Sequence, residues 1–291
     1  MFCTSMIDVA NDLNIPCYLY FASPAAYLGF VLHLTTLSDT KSTDSANGLS
    51  VPSFSNPVPS TAFPLFCINK NELGYSWFVH HTLRYKETKG IVVNTFQELE
   101  PYALDSLSSD YIDLPPVYPV GPVVDHVGPV KWHSNRSMHE KAIQWLDRQP
   151  DFSVVFLCFG SMGSLNRDQV SVLAHKAIGG FVSHCGWNSI LESISYGVPI
   201  ATWPLYAEQH LNAFEMVTEL GLSVEIRMGK GGDLVLADEV ERGVRELMDG
   251  GDGELKKKVK EMSDKAKKAL TKNGSSFQAL KDLMNILLSQ I

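Results

Sequence analysis

Short apolar segments alternate with segments of helical periodicity along most of this chain of 291 residues. Clear examples of the apolar segments are Gly90–Asn94, Ser153–Phe159 and Pro199–Trp203. Strands that are apolar on both faces are typical of parallel sheets covered by helices on both sides. The sequence therefore predicts an α/β fold, whose ligands bind at the carboxyl ends of the strands, where helices begin.

The chain is long enough for two domains. The Pro-rich segment Pro115–Pro122 and the polar stretch up to Asn135 interrupt the alternation, which indicates a linker. We predict an N-terminal domain, a linker, a C-terminal domain and a final helix that packs back toward the N-terminal domain, at residues 1–122, 123–137, 138–275 and 276–291. The apolar stripe of that final helix is predicted to comprise Phe277, Leu280, Leu283, Met284 and Leu287.

Composition argues against several classes of protein. Lys and Arg number 24 against 32 Asp and Glu, and the net charge of −8 argues against a nucleic-acid-binding surface. The five cysteines lie far apart without a CxxC pair, so we expect reduced thiols rather than a disulfide or zinc framework. We find neither a signal-peptide pattern nor an apolar run long enough to span a bilayer. We therefore expect a cytoplasmic monomer without a membrane span.

The most informative segment is Phe181–Glu192, with the sequence FVSHCGWNSILE. A strand ends, a glycine allows a tight turn, and a helix begins at once, with Asn188 and Ser189 in its first turn. Backbone N–H groups in a first turn have no partner within the helix, and the helix dipole is positive there, so the turn suits a phosphate group. His184 at the strand end can donate a hydrogen bond to phosphate, and Glu192 on the same helical face suits the two hydroxyls of a ribose. The pattern also fits an ordinary helix start without a ligand.

Two further strand ends carry polar or small residues. Glu208 and Gln209 follow the strand at 199–203 and offer acceptors and donors for neighbouring sugar hydroxyls. Alternatively, Glu208 simply favours the positive end of the next helix. Ser161 lies in the glycine loop Gly160–Ser164, where small residues let the backbone approach a diphosphate closely.

Together these segments resemble one family. The run from His175 to Phe214, HKAIGGFVSHCGWNSILESISYGVPIATWPLYAEQHLNAF, is similar to the signature box of plant secondary-product glycosyltransferases, which use UDP-sugars. The similarity extends over nearly the whole chain, through FCTSMIDVAN, GIVVNTFQELE, PPVYPVGP and SVVFLCFGSMGS. The resemblance implies a GT-B fold of two facing Rossmann-like parallel-sheet domains, both incomplete in this chain.

The resemblance also implies a role for each matching residue. His184, Asn188 and Ser189 would contact the diphosphate with Ser161 nearby, Trp187 would support the turn, and Glu192 would bind the ribose. Glu208 and Gln209 would hold the hydroxyls of the donor sugar, and a Gln at position 209 favours UDP-glucose. UDP-glucose is then a donor substrate, and no metal or other cofactor is implied, in keeping with the lack of a DxD motif.

The sequence departs from the family pattern in three ways. The usual Trp-Ala-Pro-Gln is replaced by Asn166-Arg167-Asp168-Gln169, so Gln169 is expected to keep its ribose-side role while the uracil loses its stacking Trp. Base–aromatic stacking contributes about 1–3 kcal/mol, so donor affinity is expected to fall about 5- to 100-fold. A segment that the family carries after Ser164 is absent. The family's catalytic His and Asp would lie before Met1, so we assign no catalytic residue and expect a truncated N-terminus.

The predicted reaction is an inverting transfer of glucose from UDP-glucose to a hydroxyl of a small lipophilic acceptor: a flavonoid, another phenolic or a triterpenoid. The acceptor pocket is expected in the N-terminal half. Without its general base, which contributes about 10²–10⁴-fold to a rate, this chain is expected to be weakly active or inactive. The alternative is a UDP-sugar-binding pseudoenzyme without catalysis, or a fragment from a misassembled gene model.

Overall fold

The computed structural model describes residues 3–37, 48–68, 73–111, 113–124, 136–160, 172–228, 234–249 and 253–289. Contacts group the chain into two compact units. The first unit comprises Met1–Val123, Tyr206–Glu219 and Ala266–Ile291, and the second comprises Val124–Leu205 and Leu220–Lys265. The predicted domain boundaries stay predictions.

The first unit is built on a three-stranded parallel sheet of order β1-β2-β3. Its strands are β1 (Tyr18–Phe21), β2 (Gly90–Val93) and β3 (Val117–Pro119). Its helices are α1 (Ser5–Asp12), α2 (Ala25–Leu34), α3 (Leu65–Ile68), α4 (Leu73–Leu83), α5 (Pro101–Ser109), α8 (Gln209–Phe214) and α11 (Ser275–Ser289). A π-helical segment, Glu215–Glu219, continues α8.

Helix α2 forms the centre of the core of the first unit. Its sequence, AAYLGFVLHL, is apolar on every side, and all of its residues except His33 are buried. A helix of this kind is expected only where other elements surround it. Phe30 of α2 packs edge-to-face on Phe63, with ring centroids 5.3 Å apart, and Phe21 of β1 is fully buried beside it.

The Pro-rich segment that we predicted to be part of a linker contains β3, so that prediction is wrong at this point. Val92 pairs with Tyr118, and Val93 pairs with Pro119, in parallel register. In the described sheet β3 has a neighbour on one side only, so the missing N–H of a proline removes no ladder hydrogen bond on its other side. Prolines in this position therefore do not exclude a strand.

The second unit holds a four-stranded parallel sheet of order β4-β5-β6-β7. Its strands are β4 (Val154–Cys158), β5 (Ile178–Ser183), β6 (Ile200–Thr202) and β7 (Ser223–Glu225). Its helices are α6 (Arg136–Leu146), α7 (Trp187–Tyr196), α9 (Ala237–Asp249) and most of α10 (Glu254–Ala269). All six residues of β5 are buried, as expected for a central parallel strand.

The final helix, α11, packs against β3 within the first unit. Leu283 is buried, but Phe277, Leu280 and Met284 are between 40% and 47% exposed. Of these four residues of the predicted apolar stripe, Leu283 alone is buried. No helix in the described ranges is both long enough and apolar enough to cross a bilayer. None of the five cysteines, all of which lie in the described ranges, forms a disulfide.

Candidate functional site

The turn between β5 and α7 has an unusual backbone. Cys185 has a φ of 65°, in the left-handed region that residues with a side chain adopt at a cost of about 1–3 kcal/mol. Its N–H donates to Oγ of Ser183 over 3.1 Å, which supports the turn. Helix α7 then begins after Gly186, and no side chain in the described ranges caps it there. Strained backbone of this kind is concentrated at functional sites.

His184 follows β5 and is fixed between two glycines. A Cβ atom at Gly160, whose φ is +78°, would lie 2.7 Å from Nε2 of His184, and one at Gly186 would lie 2.6 Å from it. Both glycines are therefore needed to admit the imidazole. The ring is 7% exposed, and its Nδ1 has no hydrogen-bond partner among the described residues. Burial lowers the pKa of His184, and a hydrogen bond to the backbone of Cys158 opposes this shift without cancelling it, so the imidazole is neutral near pH 7 and carries one N–H.

Glu192 lies on α7, one turn beyond the start of the helix. Its side chain is buried, and Oε2 has no hydrogen-bond partner in the described part of the chain. Burial raises the pKa of this carboxyl to about 7. The pKa of the Cys158 thiol, at the end of β4, is raised mainly by burial of the thiol. The negative charge of Glu192 raises it further. The ends of β4 and β5 and the first turns of α7 therefore meet around one small region.

The other predicted residues on α7 differ in exposure. Trp187 is 3% exposed, whereas Asn188 is exposed and Ser189 is buried. The structure thus places His184, Trp187, Asn188, Ser189 and Glu192 on one strand–helix turn. Buried polar atoms normally have partners, and two such atoms without one, beside a helix N-terminus, fit a polar anionic ligand.

Glu208 and Gln209 lie in the first unit, at the start of α8. Oε1 of Gln209 accepts a hydrogen bond from the backbone N–H of Tyr206 over 3.0 Å, and the side chain is buried. Oε1 of Glu208 accepts a hydrogen bond from Oγ of Ser23 over 3.3 Å. Their side chains are thus held by neighbours within the same unit.

Two predicted site residues, Ser161 and Gln169, lie outside the described residues, as do Asn166, Arg167 and Asp168. No group of three or more His, Cys, Asp or Glu residues in the described ranges is arranged to hold a metal ion. Sequence reasoning missed Ser23, Glu100 and Glu215, whose hydrogen bonds lie at the two ends of α8. The signal available was weak, since a lone Ser or Glu beside apolar residues does not reveal its distant partner.

The two parallel sheets, together with the polar turn at the carboxyl end of β5, define an α/β protein of the kind that binds ligands where strands end and helices begin. Solved structures share this architecture. A ugt transferase from Siraitia grosvenorii, crystallised in complex with UDP, matches with a TM-score of 0.89 and 40% identity, over 99% of this chain and 81% of that one. A Medicago truncatula protein complexed with UDP-glucose matches with a TM-score of 0.88 and 39% identity, over 98% of this chain and 73% of that one.

Sequence comparison gives the family. Residues 166–263 match the family described as UDP-glucoronosyl and UDP-glucosyl transferase. UDP-glycosyltransferase 43 of Pueraria montana var. lobata is 46% identical over 353 aligned positions, which cover 99% of this chain and 74% of that protein. The chain therefore belongs to the UDP-glucosyltransferase family, and the predictions of that family and of the GT-B fold are confirmed.

The length of that alignment bears on the predicted internal gap. The 353 aligned positions outnumber the 291 residues of this chain by 62. At least 62 positions within the aligned region therefore have no residue of this chain opposite them. Residues of the relative are therefore absent here within the aligned region, while their being one segment after Ser164 stays a prediction.

Proposed function

We propose that this chain binds UDP-glucose, with the diphosphate at the start of α7, and that the glucose is transferred to a hydroxyl of a small lipophilic acceptor. The observation that carries the proposal is the pair of buried polar atoms, Nδ1 of His184 and Oε2 of Glu192, which have no partner among the described residues. A diphosphate and a ribose diol would supply the acceptor and the donors that these atoms need.

Within this proposal, each residue at the β5–α7 turn has a separate task. The neutral imidazole of His184, in the tautomer with its proton on Nδ1, donates to a phosphate oxygen. The first-turn amides around Asn188 and Ser189 face the same group. Negative charge grows on the diphosphate as the bond to the sugar breaks, and these donors stabilise that charge. The buried Trp187 keeps the turn in place. The ionised form of Glu192 accepts hydrogen bonds from the ribose hydroxyls.

We also assign the sugar hydroxyls to Glu208 and Gln209. Oε1 of Gln209 accepts the hydrogen bond from the N–H of Tyr206, and we assign its amide nitrogen the role of donating to a sugar hydroxyl. The carboxylate of Glu208 accepts from a neighbouring hydroxyl. Gln209 is the basis for proposing glucose as the sugar. Ser161 and Gln169 are proposed to act on the diphosphate and the ribose, on sequence similarity alone.

The acceptor class is proposed from the relatives. A protein of Fragaria ananassa, 43% identical over 96% of this chain and 73% of its own length, is a UDP-glucose flavonoid 3-O-glucosyltransferase. Another, from Manihot esculenta, is 42% identical and is an anthocyanidin 3-O-glucosyltransferase. We propose a flavonoid or a related phenol as the acceptor, with the pocket in the first unit.

A second candidate function is UDP-sugar binding without transfer. It is favoured by one observation, that we can assign no residue of the described chain to the role of general base. The two functions are separated by measuring acceptor-dependent release of UDP from UDP-glucose, with purified folded protein and a panel of flavonols and other phenols. Transfer supports the first function, and binding of UDP-glucose without release supports the second. Activity that EDTA abolishes would contradict our proposal that no metal is required.

A further inference from the structure

Glu100 is a carboxylate buried at the start of a helix to which it does not belong. Its side chain is 2% exposed. Oε2 accepts a hydrogen bond from the backbone N–H of Ala25 over 3.0 Å, and Oε1 accepts one from Ala26 over 2.7 Å. No side-chain cap comes from Pro24, which precedes α2. Glu100 therefore caps α2 from a distance, and the positive end of the helix dipole favours its ionised form.

Glu215 is a second buried carboxyl, and it forms a hydrogen bond with Glu100. It begins the π segment Glu215–Glu219 that continues α8, and its side chain is 3% exposed. Two carboxylates in direct contact cannot both be ionised inside a protein, so the pair shares one proton. Because Glu100 already accepts two backbone N–H groups, the proton resides on Glu215, which donates to Glu100.

The charged groups around the pair favour the same arrangement. Burial raises the pKa of Glu215 well above its ordinary value, and the negative charges of Glu100 and Glu219 raise it further. Burial also raises the pKa of Glu100, but the N–H groups of Ala25 and Ala26 oppose that rise. The described charges acting on Glu215 are both negative, so neutral Glu215 is the stable form.

One short helix, α8, connects the Glu100–Glu215 hydrogen bond to the residues proposed to bind the sugar. Gln209 begins α8, and Glu215 follows its last residue, six positions later or about 9 Å away at 1.5 Å per residue. Glu208, at the start of α8, accepts a hydrogen bond from Ser23, and Ser23 precedes the same first turn of α2 that Glu100 caps. Both ends of α8 are thus connected to the segment Ser23–Ala26. π segments are rare and are often found at functional sites.

We propose that Glu215 is a positioning residue, whose carboxyl holds the start of α8 through its hydrogen bond to Glu100, so that Glu208 and Gln209 meet the donor sugar. This inference rests on the proposed role of Glu208 and Gln209 in holding the sugar. It requires a hydrogen-bond donor at position 215 and does not require a charge there.

Two substitutions separate this role from simple packing. Glu215→Gln keeps the size and places an amide N–H donor against Glu100, whereas Glu215→Leu keeps the bulk and removes the donor. The control is Glu241→Leu, because Glu241 pairs with Arg245 on an exposed face of α9. Affinities for UDP and for UDP-glucose are measured by titration calorimetry on the full chain, at neutral and at alkaline pH.

The readout is the ratio of the UDP-glucose affinity to the UDP affinity, which isolates the contribution of the sugar. Loss of one hydrogen bond that orders the sugar contacts is expected to lower this ratio about 5- to 30-fold in Glu215→Leu. The ratio should be unchanged in Glu215→Gln and in the control, and the UDP affinity should be equal in all of these proteins. In the wild type, but not in Glu215→Gln, the ratio should fall at alkaline pH as Glu215 loses its proton.

Three results would overturn the proposal. The first is an unchanged ratio in Glu215→Leu, and the second is an equal loss of UDP and UDP-glucose affinity, which would show a general structural role. The third is a fall of the affinity ratio at alkaline pH that is identical in the wild type and in Glu215→Gln. This third result decides the question if Glu215→Leu does not fold. If the wild type binds no nucleotide, the proposed function fails instead. The pair is then tested by difference infrared spectroscopy, where a protonated-carboxyl band lost in Glu215→Gln supports it and an unchanged spectrum contradicts it.

Discussion

The carboxylate of Glu219 accepts two hydrogen bonds from Asn56, one from the backbone N–H and one from Nδ2, each over 3.0 Å. It also accepts the N–H of Ser55 over 2.9 Å and Oγ of Ser55 over 2.6 Å. In the same region Phe54 packs on Phe214, with ring centroids 5.9 Å apart. One side chain at the end of the π segment thus holds a loop that lies more than 160 residues earlier in the chain.

We expect Glu219→Ala to destabilise the first unit by about 1–2 kcal/mol. Hydrogen bonds to a charged group contribute about 1.5–3 kcal/mol when buried, and partial exposure of this group reduces that value. The free energy of unfolding is measured by urea denaturation. The matched control is Glu241→Ala on exposed α9, which should change little. Equal midpoints for the two variants would contradict the assignment of Glu219 as an anchor of the loop.

His184→Ala is expected to weaken UDP binding about 10- to 150-fold, because a hydrogen bond to a charged phosphate is worth about 1.5–3 kcal/mol. The imidazole is buried between Gly160 and Gly186, so no other side chain can take its place. Titration calorimetry with UDP measures the change. His139→Ala, on α6, is the control and should bind UDP as the wild type does. An affinity for UDP that survives His184→Ala would show that the diphosphate lies elsewhere.

Glu192 should make stability depend on pH in the absence of nucleotide. Its pKa is raised by burial from 4.5 to about 7. Between these values the folded protein keeps a proton that the unfolded chain has lost, so stability falls as pH rises through this range and levels off above about pH 7. Glu192→Gln cannot ionise and is expected to lack this fall, with a gain of about 3 kcal/mol at the alkaline end.

The measurement is urea unfolding of wild type and Glu192→Gln at a series of pH values on both sides of neutrality. Glu241→Gln serves as the control, because its carboxyl is exposed and should not alter the pH profile. Parallel profiles for wild type and Glu192→Gln would show that Glu192 is ionised freely in the folded chain, and that the buried site is not as described.

Gln209→Glu tests the sugar contact without disturbing the turn. A carboxylate still accepts the N–H of Tyr206, but the amide donor is lost. We expect UDP-glucose affinity to fall about 10-fold, the value of one hydrogen bond of roughly 1.4 kcal/mol, while UDP affinity stays the same. Competition calorimetry with the two ligands measures both. A parallel loss for both ligands would contradict a role for Gln209 in contacting the sugar.

The parallel α/β architecture and the β5–α7 turn could be predicted because they depend on local pattern. Apolar strands followed at once by helices specify parallel pairing, and a glycine before a helix start marks a tight turn. For this reason, His184, Asn188, Ser189 and Glu192 could be placed on one turn from spacing alone. The strand β3 was not predicted because prolines argue against a central strand. Edge strands tolerate prolines, and the sequence pattern alone does not show that a segment lies at an edge.

The contacts around α8 could not be predicted, because they depend on residues far apart in the chain. Glu100 and Glu215 each read as an ordinary charged helix residue, and neither sequence pattern indicates burial. Glu219 likewise gives no sign of its bonds to Ser55 and Asn56. The exposed apolar residues of α11 show a different limit of sequence-based prediction. An apolar stripe predicts a contact but does not identify the neighbour that covers it.

Titration of the purified folded chain with UDP-glucose shows whether the start of α7 binds the nucleotide part of this ligand. We predict saturable binding with one site per chain, competed by UDP and weakened by His184→Ala but not by His139→Ala. The absence of binding to a folded sample, or binding that His184→Ala leaves unchanged, would contradict it.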